Sequence, residues 1–238
     1  MIPLSELRTA AYCPRQLYYR RRDDDDREVP PRVAKRRALA DRYPDLLTAG
    51  DETLAALPTA VDPGTFRRRL RWLRERGHEP PDDATTSPAA SGETSDRWRS
   101  LVDPLDRDRF VEGRDCRGVV HRLLDDPVRP SLVSTGAPPA RGVWRPQSVW
   151  AVGAAKALSY ERGDTVATAT VEYPAHGVVR RVRITGERRA AYRETVRTVR
   201  TLGEPPPRTA DRQKCEACEY ATDCGVRSRT LRSLLGRG

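Results

Sequence analysis

Cys215, Cys218 and Cys224 form a C-x2-C-x5-C run, and they are three of only five cysteines in 238 residues. Thiolates at this spacing suit a soft metal ion or an iron–sulfur cluster, and either takes four sulfur ligands. The run supplies three, so the fourth must come from elsewhere. Cys13 is the candidate, because Pro14 follows it and Tyr12, Tyr18 and Tyr19 surround it. That context reads as a cysteine held at a helix start with aromatics packed around it. Spacing alone does not separate structural zinc from iron–sulfur. A disulfide fits less well, since no secretory signal opens the sequence and a reducing cytoplasm is the expected compartment.

Ser5-Glu6-Leu7-Arg8, Tyr12-Cys13-Pro14-Arg15 and Leu17-Tyr18-Tyr19, paired with Lys214-Cys215-x2-Cys218-x5-Cys224, make the chain recognisable. Together they resemble the RecB-like iron–sulfur PD-(D/E)xK exonucleases, in particular the CRISPR-associated branch, Cas exonuclease family four. The resemblance implies a [4Fe-4S] cluster on Cys13, Cys215, Cys218 and Cys224 that staples the two chain ends together. It favours iron–sulfur over zinc. Cys116 has no counterpart in the pattern and reads as a buried strand thiol.

The same resemblance implies metal-dependent hydrolysis. In the family a helix histidine, a G-x-x-D strand, an E-x-K strand and a Q-x3-Y helix hold Mg²⁺ or Mn²⁺ and activate water. Here the G-x-x-D strand aligns with Gly118-Val119-Val120-His121, so a histidine takes the carboxylate position. By register the E-x-K strand places Leu132 and Ser134 where the acid and lysine belong. The motif is missing from the whole chain: the residues two before Lys35, Lys156 and Lys214 are Val33, Ala154 and Arg212. The helix glutamine is expected near Trp150 or Ala151, with Gln147 a turn too early. Ala34 to Arg42 contains Asp41 but no histidine. Asp41, Asp115 and His121 are the remnants from which a rebuilt metal site would be made, with His121 the candidate ligand. His78 and His176 read as surface residues.

The formal net charge is +10, and only three of the 44 basic residues are lysines. Arginine's planar fork suits phosphate, so a nucleic-acid partner is expected. Arg67, Arg68, Arg69 and Arg71 cover a helix expected over 65–76 whose apolar face is Phe66, Leu70 and Leu73, and they are the DNA-contact candidates. Four consecutive acids, Asp23 to Asp26, read as a solvated turn. No apolar run reaches membrane-spanning length.

The elements that must position these residues follow from periodicity. Helices are expected over 1–22, 33–47, 147–160 and 187–202. Strands are expected over 98–102, 109–112, 116–124, 129–134, 165–173 and 178–184. This order matches a single α/β domain over 1–238 with a restriction-endonuclease-like (RecB-type) core. A helical N-terminal region precedes the core, 76–96 is a flexible insertion, and residue 13 with 214–224 forms the C-terminal cysteine-cluster cap joined to the N-terminus. The implied role is binding DNA ends or single strands without cleavage, in CRISPR spacer acquisition. The alternatives are an active single-strand exonuclease, an assembly module docked on CRISPR integrase proteins, and a zinc-stapled adaptor.

Overall fold

The computed structural model describes residues 1–23, 29–76, 91–125 and 127–226. In chain order the elements are β1 (Ile2–Pro3), α1 (Leu4–Tyr12), α2 (Pro14–Arg22), α3 (Pro31–Ala38), a 3-10 turn (Leu39–Arg42), α4 (Tyr43–Thr48), α5 (Asp51–Ala55), α6 (Pro63–Arg76) and α7 (Ser91–Val102). There follow β2 (Asp106–Glu112), β3 (Cys116–Leu124), β4 (Arg129–Val133), α8 (Arg145–Arg162), β5 (Thr168–Tyr173), β6 (Val178–Arg183), α9 (Gly186–Arg200) and α10 (Arg212–Glu216).

The strands form one mixed sheet. β2, β3 and β4 are an antiparallel meander. α8 then carries the chain across so that β5 runs parallel to β4, and β6 returns antiparallel to β5. A crossover with a helix is the connection that parallel neighbouring strands require. β1 adds two residues, Ile2 and Pro3, parallel to the start of β3. β3 therefore shares one edge between two neighbours. Residues 122–124 pair with β4 and residues 116–117 pair with β1. Between them β3 and β4 fork apart, and the candidate site described below lies at that fork.

Each sheet face has its own apolar cluster. On one, Leu4, Leu7 and Leu17 meet Leu132, Val171 and the small-residue helix α8. Gly153 of α8 matters here, because a Cβ at that position would lie 2.9 Å from Leu4 Cδ2. On the other face, Tyr43, Leu46, Phe66, Leu70 and Leu73 cover Leu124 and Val133. Phe66, Leu70 and Leu73 are the expected apolar stripe of α6, and each fully buried side chain of this kind contributes about 1.5–3 kcal/mol.

Several expected elements differ. The helix over 1–22 is broken at Cys13, whose extended backbone ends α1 and starts α2. Pro14 is the reason: it lacks the N–H that a continuous helix needs, yet fits the first position of a new one. The helix over 33–47 is divided by a 3-10 turn at Leu39–Arg42, with no extended break. The strand expected over 98–102 is instead the C-terminal end of α7, which buries Leu101 and half-buries Trp98. Residues 91–96, expected in the insertion, begin that helix. The rest of the insertion (77–90, with His78) and Asp24–Asp26 of the acidic run lie outside the described residues. β3 matches its expected limits.

Candidate functional site

Two constellations carry chemistry, and the first joins the chain ends. Cys13, Cys215, Cys218 and Cys224 line one pocket. Each is held by local backbone geometry. Cys13 N–H donates to Thr9 O, while its own carbonyl accepts from Gln16 and Leu17 at the start of α2. Downstream, Cys218 N–H donates to Cys215 O (3.2 Å) and Cys224 N–H to Tyr220 O (2.8 Å), winding the C-x2-C-x5-C run into consecutive turns. Gly225 then takes a left-handed conformation (φ 69°) that turns the chain beneath Arg208.

Contacts across the two ends fix the pocket. Arg15 donates to Pro206 O at 2.7 Å, Tyr19 donates to Asp223 O at 3.0 Å, and the Tyr19 and Tyr220 rings stack. All four thiols are free. Burial pushes the Cys218 thiol pKa up, and the nearby Cys13, Glu219 and Cys215 push it further. Lys214 lies over the Tyr12 ring, and Arg15 lies beside Cys224. This donor set is soft, sulfur-only and ringed by cations, which suits a metal–thiolate core of net negative charge. Among the described residues no group of His, Cys, Asp or Glu converges tightly enough to hold one metal ion. The thiols surround a shared space instead.

The second constellation is the fork between β3 and β4. His121 packs edge-on against Trp150 of α8, and Arg8 of α1 stacks on the same Trp150 ring at 4.9 Å. Ser134, just past β4, accepts from Gln147 Nε2 at 3.3 Å. Arg36 of α3 donates to Thr135 O, and this brings its neighbour Arg37 to the fork. The structure thus brings His121, Ser134 and Gln147 together. Gln147, expected a turn too early, reaches Ser134 from the first turn of α8, which starts at Arg145 and not at 147.

His121 is committed at this fork. Val133 N–H donates to His121 Nδ1 at 3.2 Å. The lone pair that would bind a metal is therefore in use, and the neutral ring carries its proton on Nε2. Burial, then the charges of Arg37, Arg8 and Arg122, bring the His121 pKa down to about 4, with Asp41 a smaller opposing influence. Divalent cations meet the same repulsion.

The carboxylates are engaged elsewhere. Asp41 binds Arg122 at 2.8 Å and also Arg107. Asp115 binds Arg200 at the far end of β3, about 20 Å from His121 at strand spacing. Asp41, Asp115 and His121 therefore do not share one centre.

Sequence reasoning missed Glu172. This β5 carboxylate is fully buried and accepts from Tyr43 (3.0 Å), Ser131 (2.6 Å) and Arg122 (3.2 Å). All four of these residues face the second apolar cluster, on the opposite side of the sheet from Leu132, the β4 position aligned with the acid. An all-buried strand reading Thr-Ala-Thr-Val-Glu-Tyr gave no periodic signal for it.

The arginines of α6 divide. Arg67 is tied to Ala49 O and Asp51, and Arg69 donates to His176 O. Arg68 and Arg71 remain exposed beside Trp72. His176, expected at the surface, is partly buried, and its pKa is lowered by that burial and by Arg69 and Arg36.

No protein-family model matches this chain, and no curated protein matches it. Among the described residues no helix is long and apolar enough to cross a membrane.

The His121 pKa sets a pH dependence. The unfolded ring titrates near 6.5 and the folded one near 4. Stability is therefore full above about pH 6.5 and falls as pH drops toward 4, because the unfolded state gains a proton that the folded state refuses. Two and a half units at 1.36 kcal/mol each give about 3 kcal/mol. Denaturant melts at pH 7 and pH 4 should show His121→Gln losing less stability than wild type over that interval by about this amount. Equal losses would show that the ring is not held neutral.

Proposed function

We propose that this protein is an iron–sulfur DNA-binding protein of RecB-like descent that has lost hydrolysis. The observation that carries this reading is the fork, where the positions expected to hold two acids and a lysine are His121, Leu132 and Ser134. No free carboxylate faces them among the described residues, and arginines surround them. Metal-assisted cleavage needs convergent carboxylates, and the charge here has the opposite sign. The meander, crossover helix and parallel return strand support a restriction-endonuclease-like core.

For the cofactor, Cys13, Cys215, Cys218 and Cys224 would hold a [4Fe-4S] cluster. The resemblance favours the cluster over zinc at these four thiols, which line one pocket. When bound, the cluster would join α2 to the chain beyond α9. The resemblance suggests a setting in CRISPR spacer acquisition, with DNA single strands or ends and the integrase proteins as partners.

The test is a count of iron, sulfide and zinc on anaerobically purified protein, followed by incubation with end-labelled single strands and Mg²⁺ or Mn²⁺. The expected result is one cluster per chain, salt-dependent binding and intact oligonucleotide. Degradation that disappears in His121→Ala would restore the exonuclease reading. Stoichiometric zinc without sulfide would leave the zinc-stapled adaptor.

A further inference from the structure

The fork has lost its acids, and what it has gained calls for an explanation. Arg8 of α1, stacked on the Trp150 ring that His121 also meets, and Arg37 of α3 lie at the fork, and the exposed Arg20 of α2 lies within charge range of Arg8. Arg37 and Arg20 lie near enough to Arg8 that their charges, after burial, lower its pKa. None of the three has a carboxylate partner among the described residues. Arg37 Nε is buried with no acceptor among the described residues. Mutual repulsion among uncompensated guanidinium groups is unfavourable unless an anion joins them.

Neutral donors complete the setting. His121 accepts from Val133 N–H through Nδ1, so its Nε2–H is a donor, and it finds no acceptor among the described residues. Arg8 is held in place by stacking on Trp150, whose ring is nearly buried and forms a rigid wall. Arg36 anchors α3 to Thr135 O, which fixes the neighbouring Arg37.

We infer that the fork lined by Arg8, Arg37 and His121, with the exposed Arg20 beside Arg8, binds a phosphate group, supplied by a DNA strand that the protein holds without cutting. This deepens the function proposed above and rests on it for the source of the phosphate. Guanidinium forks match phosphate oxygens in pairs, and three positive charges exceed the double negative charge of a terminal phosphate. The site that would have held a metal against the phosphodiester would thus contact the phosphate directly with arginine.

The experiment uses the full chain and three fluorescent oligonucleotides of one sequence: 5′-phosphorylated, 3′-phosphorylated and without a terminal phosphate. Binding is followed by anisotropy for wild type, Arg37→Gln, Arg20→Gln and the control Arg189→Gln, which removes the same charge from α9. Inorganic phosphate is titrated separately while the His121 imidazole resonances are observed.

Arg37→Gln should weaken binding by about tenfold or more, and Arg20→Gln, exposed and safe for folding, should weaken it in the same direction. Inorganic phosphate should shift the His121 resonances of wild type but not of Arg37→Gln. A preference for one phosphorylated end identifies a terminal phosphate, and equal affinities identify an internal phosphodiester. Arg37→Gln and Arg20→Gln behaving like Arg189→Gln, with DNA still bound, would overturn the pocket and leave DNA binding standing. If wild type binds no oligonucleotide, the DNA reading fails, and the pocket stands or falls on the inorganic-phosphate shift alone.

Discussion

Replacing Glu172 with glutamine should cost about 3–5 kcal/mol of stability, the loss expected when one partner of a buried ion pair is neutralised. Glu172 and Arg122 are both almost wholly inaccessible. Burial alone would lower the Arg122 pKa, but Glu172, Tyr43 and Asp41 more than offset it, so the guanidinium stays charged. Without the carboxylate, that charge keeps only Asp41 and the Leu101 carbonyl, and Asp41 is half exposed. The amide keeps one acceptor oxygen, so it can serve Tyr43 and Arg122 on one side or Ser131 on the other, and its NH2 faces the remaining partner. Urea midpoints at neutral pH provide the measurement. A double replacement, Arg122→Met with Glu172→Leu, should recover most of the loss, since apolar groups of similar volume replace such pairs at little cost. A small effect of the single change would mean that water reaches the pair.

Cys218→Ser should have a comparable effect through a different route. Cys13 and Cys215 are 202 positions apart (215 − 13). Closing a loop of that length corresponds to about 5 kcal/mol of chain entropy, which a cluster bridging both ends would remove from the unfolded state. The variant should lose its brown colour and melt at lower temperature, and the segment after α9 should become sensitive to protease. Cys116→Ser is the control. That thiol is buried, donates to Gly153 O and accepts from Tyr192, away from the other four. It should keep the full absorbance. A Cys218→Ser protein with unchanged absorbance and melting would remove Cys218 from the ligand set.

The parts of the fold that were legible share a physical cause. β3, α6 and α8 announced themselves because each buries one face, or both, within a few residues of sequence. The break at Cys13 was half visible: Pro14 marked a helix start, but the preceding residues read equally well as part of one long helix. α7 was misread because Trp98 and Leu101 give too few apolar positions to set a period. Glu172 was invisible because its meaning lies in Arg122, Tyr43 and Ser131, which belong to three other elements. The absence of any E-x-K motif could be read from lysine positions alone. The closeness of Arg8 and Arg37 to His121 could not, since it exists only once α1, α3 and β3 are placed.

The contact between α1 and α8 also bears on how the chain is made. Leu4 and Leu7 leave the ribosome well before Gly153 and Tyr192, against which they pack. At about 5–20 residues per second, the wait between Leu7 and Gly153 is about 7–30 s. Cys13 waits longer still for its three counterparts. The N-terminal helices therefore spend synthesis with their apolar stripe and their thiol uncovered. Folding of this face therefore waits on the synthesis of α8 and α9, and chaperone protection of α1 in the interval should raise the folded yield.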